Sequence, residues 1–226
     1  MLLLPSERRF SSLCPKAMAR MWKKAELHLS KSDSRLAELI KLVGPCRLKI
    51  SGMLSPFAAL AESIVYQQLT GKAAATIYGR VTALFDGAEV SPKGLLAIPH
   101  ERLRMAGLSN AKALAMRDLA TKTQAGVVPS LSELEQMSNE AIVECLTEVR
   151  GIGKWTVEML LIFRLGRPDV LPVTDYGIRK GFTKVWRKRK LVDPGMLAKQ
   201  GERWAPFRSV ASWYLWRALD IDEARP

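Results

Sequence analysis

Cysteine is scarce in this chain. Its three residues, Cys14, Cys46 and Cys145, are odd in number and far apart, which speaks against a disulfide framework and against the clustered thiols of a zinc or iron–sulfur site. Long apolar runs are missing too, so no membrane-spanning helix is expected. Acids are outnumbered: 22 Asp and Glu stand against 35 Lys and Arg, a formal net charge of +13. Such an excess points to a polyanion, nucleic acid in preference to an anionic membrane face. Strand-like alternation is confined to "CRLKI", Cys46–Ile50, and no repeat or low-complexity segment interrupts the text. What remains is ordinary for a folded protein: 226 residues, 48% hydrophobic and 25% charged, enough for one substantial core or two small ones. An intracellular protein without a metal cluster is expected.

The opening "MLLLPSERRFSSLCPKAMAR" holds one acid, Glu7, among its Arg, Lys and Ser. Three readings stay open for it: an organelle transit segment, a disordered basic arm, or a start codon upstream of Met18 or Met21. From Trp22 the pattern is helical. "DSRLAELIKLVG" places Leu36, Leu39, Ile40 and Val43 on one face, with Asp33 or Ser34 as cap and Gly44 as stop. Ser55 and Pro56 open a helix whose stripe is Phe57, Leu60, Ala61, Ile64 and Val65; Gly71 breaks it, and a second helix runs through Leu84. "SPKGLLAI", "HERLRMAG", "SNAKALAMRDLATKTQAG", "SLSELEQM" and "SNEAIVECLTEV" repeat the logic of a polar opener before an apolar run. The expectation is an all-α array of short helices.

"LTEVRGIGKWTVEMLL", Leu146–Leu161, reads as helix, tight turn and helix. Glycine reaches positive φ without steric cost and lets another molecule approach the backbone. The amides of Gly151 and Gly153, with the positive end of the following helix, suit a phosphate. Lys154 would add charge and Thr156 a hydroxyl; a bare corner between helices is the alternative. Further on, a loop with Pro168 and Pro172 delivers Asp175 just before "YGIRKGFTKVW", the preceding helix ending at Gly166. Asp175 reads as a helix cap, and one carboxylate can cap with one oxygen while the other faces a cleft. "RKGFTKVWRKRK" carries Arg179, Lys180, Lys184, Arg187, Lys188, Arg189 and Lys190 with no acid. It is either a solvated face or a phosphate track, with Lys72, Arg150 and Lys154 on the other flank.

The longer stretch "LTEVRGIGKWTVEMLLIFRLGRPDVLPVTDYGIRKGF" resembles the hairpin and catalytic-aspartate signature of the helix-hairpin-helix DNA glycosylase superfamily, in its 3-methyladenine DNA glycosylase II branch. "SIVYQQLTGKAAATI" is similar to the family's DNA-wedge region and "GERWAPFRSVASWYLWR" to its C-terminal helix. The resemblance runs from Trp22 to Arg217. It implies two helical subdomains flanking a DNA-binding cleft: residues 22–54 with 166–226, and residues 55–165 ending in the hairpin; residues 1–21 fall outside the resemblance and are set apart as a basic arm, expected to be disordered on general terminus behaviour.

It also implies roles. Asp175 becomes the catalytic carboxylate. Members that also cut the strand carry a lysine two residues after the second hairpin glycine; here Trp155 stands there, and an indole forms no Schiff base. A monofunctional enzyme using water follows, with the flat face of Trp155 suited to an electron-poor alkylated base; core packing beneath the hairpin is the other use of Trp155. Tyr66, Tyr176, Trp213 and Trp216 are candidate pocket walls, or core. Gln67, Gln68 and Leu69 form the wedge region, with Gln68 or Leu69 as the wedge and Gln67 hydrogen-bonding nearby, although Leu69 equally reads as the last core residue of its stripe. Gly151, Gly153, Lys154, Thr156, Lys72 and Arg179 would meet phosphates. Carbonyls of Thr147, Val149 and Ile152 would hold a monovalent cation, Na or K; no other cofactor and no iron–sulfur cluster is implied.

The expected reaction is hydrolysis of the N-glycosidic bond of flipped-out alkylated purines, of the 3-methyladenine and 7-methylguanine class, which starts base excision repair. The partner is double-stranded DNA with damaged bases, the expected state a monomer, and the place with the chromosome in a prokaryotic cytoplasm or a nucleus, away from membranes. Two rivals remain: a glycosylase for deaminated, oxidised or mismatched bases on the same fold, and a non-catalytic helix-hairpin-helix module that only grips DNA.

Overall fold

The structure is a computed structural model and describes residues 15–53 and 55–221. The chain divides into two compact units, with boundaries between Gly52 and Met53 and between Leu160 and Leu161. The outer segments form a terminal unit and the inner one a central unit. The terminal unit begins with α1 (Pro15–Ser32) and α2 (Ser34–Val43). The central unit follows with α3 (Pro56–Tyr66), α4 (Gly71–Ala83), α5 (Pro92–Ala97), α6 (His100–Met105), α7 (Asn110–Gln124), α8 (Leu131–Gln136) and α9 (Asn139–Thr147). Helix α10 (Lys154–Phe163) contains the second boundary, which the sequence pattern puts after Leu165. The terminal unit resumes with α11 (Tyr176–Val185), α12 (Pro194–Gly201), a 3-10 turn at Glu202–Trp204 and α13 (Arg208–Arg217).

Local chemistry sets most helix starts. Side-chain oxygens of Ser55, Thr70, Ser91, Ser109, Ser130 and Ser138 each accept an amide of the first turn that follows, a contribution of about 1 kcal/mol apiece. In the central unit α7 packs on α3, α5 and α6. Leu60 and Ile64 of α3 and Met116 and Leu119 of α7 are completely buried, each worth about 1.5–3 kcal/mol relative to exposure.

The terminal unit is held differently, by aromatics and shared polar groups. Buried Asp33 caps α2 and also accepts from Gln200 Nε2 at 2.6 Å and Trp204 Nε1 at 3.1 Å. The fully buried Tyr214 hydroxyl lies 3.1 Å from Glu26 Oε1 and 2.9 Å from the Gly44 carbonyl, and burial raises its pKa well above the ordinary tyrosine range. Burial likewise pushes the Cys46 thiol up to about 12, so it is no nucleophile. Helices α11 and α13 cross at Gly181, where a Cβ would stand 2.0 Å from the Leu215 carbonyl oxygen.

Several expectations are corrected. Among the described residues there is no strand; "CRLKI" is irregular, and its alternation records only that Cys46 and Leu48 are buried. Residues 15–21, assigned to a disordered arm, belong to α1, while residues 1–14 lie outside the described residues. Helix α3 ends at Tyr66 and not at Gly71, because Thr70 caps α4. Helix α10 stops at Phe163, ahead of Gly166. No described helix is long and apolar enough to cross a membrane.

Candidate active site

Asp175 is the N-cap of α11. Its Oδ1 accepts the Ile178 amide at 2.7 Å and the Trp216 indole N–H at 2.9 Å, two bonds that fix the carboxylate's direction. The indole is itself held by stacking on Phe163, centroids 5.6 Å apart. A Cβ on Gly177 would lie 3.0 Å from Trp216 Cδ1 and 3.2 Å from Asp175 Oδ1, so that glycine leaves the space in which ring and carboxylate meet. Helix α13 also secures the loop ahead of Asp175. Arg208 pairs with Asp169 at 2.6 and 2.8 Å, and Ser209 Oγ accepts the Val170 amide at 3.0 Å and donates to the Arg167 carbonyl at 2.6 Å.

The hairpin lies in the central unit. Val149 and Ile152 anchor it in the core, and the Ile152 amide closes on the Val149 carbonyl at 3.0 Å. Helix α7 grips its entry. Asp118 accepts the Arg150 amide at 2.7 Å and pairs with Lys122 at 3.2 Å, and the Lys122 ammonium donates to the Glu148 carbonyl. Of the two glycines only Gly151 is left-handed, at φ 79°, with Ala115 Cβ 3.2 Å from where its own Cβ would stand. Nothing lies within 4 Å of a Cβ on Gly153. The conformational demand therefore falls on Gly151, and Gly153 supplies open space.

A cavity of about 650 Å³ adjoins the hairpin, lined by Ser63, Tyr66, Gln67, Gln68, Leu69, Trp155, Thr156 and Met159. Trp155 is 46% exposed and Leu69 39%, so neither is the core residue that the sequence left open. Gln68 takes φ 56°, a left-handed conformation that a non-glycine residue adopts only where its surroundings enforce it, at a cost of about 1–3 kcal/mol.

The HhH-GPD superfamily base excision DNA repair protein family matches residues 61–206. The chain belongs to this superfamily. It is 39% identical over 206 residues, 90% of each chain, to the DNA-3-methyladenine glycosylase 1 of Schizosaccharomyces pombe. The structure of that yeast's 3-methyladenine DNA glycosylase in complex with abasic DNA is similar with TM-score 0.79 and 38% identity, covering 90% of this chain and 100% of the other. The DNA-3-methyladenine glycosidase of Bacillus halodurans is similar with TM-score 0.76 and 37% identity, covering 93% and 92%.

Within this helix-hairpin-helix glycosylase fold, the expected site residues sort by what they touch. Tyr66, 37% exposed, joins the cavity wall and meets Tyr78 edge-on, and Tyr176 is 64% exposed beside Asp175. Trp213 turns instead to Tyr214 and lies under Arg217. Lys154 is exposed, 4.0 Å from buried Glu158, and Lys72 is exposed on α4. Three side chains meet partners within their own unit. Thr156 is buried and its Oγ1 lies 3.5 Å from Gln67 Nε2, so its hydroxyl faces inward. Gln67 donates to the Gly151 carbonyl at 2.8 Å, which ties it to the hairpin and leaves Gln68 and Leu69 to project. Arg179 gives its Nε–H to the Val192 carbonyl at 2.8 Å and braces its own unit. Asp118 and Lys122 went unread in the sequence, although their i, i+4 spacing was a visible signal.

Proposed function

We propose that this protein is a monofunctional DNA glycosylase that flips alkylated purines of the 3-methyladenine and 7-methylguanine class out of duplex DNA and hydrolyses their N-glycosidic bonds. The observation that carries the reading is the held carboxylate of Asp175, with Ile178 N–H and Trp216 Nε1–H on its Oδ1, in a chain 39% identical to a DNA-3-methyladenine glycosylase. An alkylated purine already carries positive charge in the nucleotide, so it departs with little acid assistance. The barrier lies in the cation left on the sugar. A carboxylate fixed beforehand stabilises that charge without reorganising, an effect worth about 3–4 kcal/mol. Asp175 also serves to orient the attacking water.

With Trp155 where strand-cutting relatives carry lysine, no covalent imine forms. Its exposed ring, with Tyr66, offers π-faces to a cationic base. Gly151, Gly153 and Lys154 meet the phosphate backbone, and Gln68 or Leu69 enters the stack as the base leaves. Backbone carbonyls of the hairpin are hard oxygen donors of the kind a sodium or potassium ion takes. Thr147, Val149 and Ile152 would hold that ion, and it would supply a positive charge beside the phosphate.

Base-release assays on methylated, hypoxanthine-containing and 8-oxoguanine duplexes test the substrate class. Release from methylated DNA is expected, with intact abasic sites and no adduct trapped by borohydride. Release of hypoxanthine or 8-oxoguanine alone moves the substrate class, a trapped adduct overturns the monofunctional reading, and binding without any release leaves only a DNA-gripping module.

A further inference from the structure

The glycosylase reading leaves Lys112 of α7 without a task, although it is part-buried and points at the end of another helix. Its ammonium donates to the Val65 carbonyl and to the Gln67 carbonyl, both at 2.7 Å. These are among the last carbonyls of α3 and its C-cap, which have no partners within their own helix. Nothing local accounts for a lysine here. Lys112 sits in the first turn of α7, just after the Ser109 cap, where the helix dipole disfavours a cation, and burial holds its ammonium below the usual lysine range. The end of α3 supplies the compensation.

Downstream of those carbonyls the chain makes a short projecting turn. Gln67 is held twice, through its carbonyl by Lys112 and through its side chain by the Gly151 carbonyl of the hairpin at 2.8 Å. Gln68 follows at φ 56°, and the Leu69 amide closes back on the Tyr66 carbonyl at 3.3 Å. The face of α7 that carries Lys112 continues through Ala115, against Gly151, to Asp118 and Lys122, which hold Arg150 and Glu148. One helix face thus supports both the projecting turn and the hairpin.

We infer that Lys112 is a positioning residue for duplex opening: by clamping the end of α3 it keeps Gln68 and Leu69 projecting when they displace a stacked base. The inference rests on the glycosylase reading. Unstacking and unpairing a nucleotide is costly, and a turn that carries this load must not yield. The clamp therefore matters when there is a base pair to open, and little when the damaged base is already unpaired.

The test compares two substrates carrying the same methylated purine, one fully paired and one with the lesion opposite an abasic site, in single-turnover base release. Lys112→Met is expected to lose at least about tenfold on the paired duplex and less than about threefold on the unpaired lesion, with an unchanged salt slope of duplex binding. Lys112→Arg, which keeps charge and donors, recovers part of the paired rate. If Lys112→Met melts more than about 10 °C low, Lys112→Gln carries the same comparison under the same criteria. Equal losses on both substrates, or none on either, overturn the positioning role while leaving the glycosylase reading intact. A wild-type protein that releases no base from either substrate overturns both.

Discussion

Helices α10 and α11 each begin directly after a loop, and their beginnings are finished in opposite ways. At α11 a side chain closes the end: Asp175 receives the Ile178 amide and the Trp216 indole, and Gly177 clears room for the ring. At α10 the residue before the helix is Gly153, with nothing within 4 Å of a would-be Cβ, and the turn is secured from behind by Asp118, Lys122 and Gln67. On the proposed function the first end holds a charge still and the second lets a charge come close. A helix N-terminus attracts negative charge in either case; whether the charge is resident or visiting depends on which residue precedes the first turn.

Asp175→Asn tests the resident charge and should have the largest effect. Asparagine keeps the shape and the cap, so melting should barely move, while single-turnover base release falls by about 10²–10³-fold, or 3–4 kcal/mol. Binding to duplex DNA should hold or tighten, because a negative charge beside a polyanion has gone. Activity within about tenfold of wild type, less than 1.4 kcal/mol of barrier, would make Asp175 a cap and nothing more.

Gly181→Ala attacks the same end through its support. A methyl group 2.0 Å from the Leu215 carbonyl oxygen must push α11 and α13 apart, at a cost of about 1–3 kcal/mol, and α13 carries Trp216. Calorimetric melting should fall, and base release should fall beyond what the lost stability explains. A variant that melts like wild type would show that the crossing has slack.

The two hairpin glycines should separate. Gly151→Ala forces a side chain into φ 79° and should lose about 1–2 kcal/mol of stability. Gly153→Ala should fold normally yet weaken binding to damaged and undamaged duplexes alike, since phosphate contacts carry no sequence information. A well-folded Gly153→Ala protein that binds undamaged duplex as tightly as wild type would reduce the hairpin to a corner. The smallest effect belongs to Lys154→Ala, which should lower the salt slope of binding by about 0.9, one phosphate's worth of counterions; an unchanged slope takes Lys154 off the phosphate path.

Legibility followed distance along the chain. Ser55, Ser91, Ser109, Ser130 and Ser138 were readable as caps because each meets an amide only three residues on. Asp175 was readable as a cap for the same reason, but its indole partner is 41 residues away. Gln67 was expected to hydrogen-bond beside the wedge, and it does, but its acceptor lies 84 residues off and could not be named from the sequence. Helix α12 had its signal in plain view, Asp193 followed by Pro194, just past the basic run that ends at Lys190, and went unread. Lys112 gave no signal, because a lysine early in a helix looks like surface until the carbonyls it meets are known.

The helical class, the excess of positive charge, the glycine turn and the tryptophan just after it could be read from the residues alone, and the family resemblance added that this indole stands where strand-cutting members carry an amine. Each of those four is a sum over the chain or a relation between near neighbours, and needs no knowledge of what packs where. Tertiary structure alone decided which polar groups face inward and which outward. Thr156, Gln67, Arg179 and Lys112 satisfy distant backbone or side-chain partners, while Gln68 and Trp155 stay accessible. The reason is that burying a donor or acceptor is costly unless a partner meets it, and that partner is supplied by the packing of remote helices.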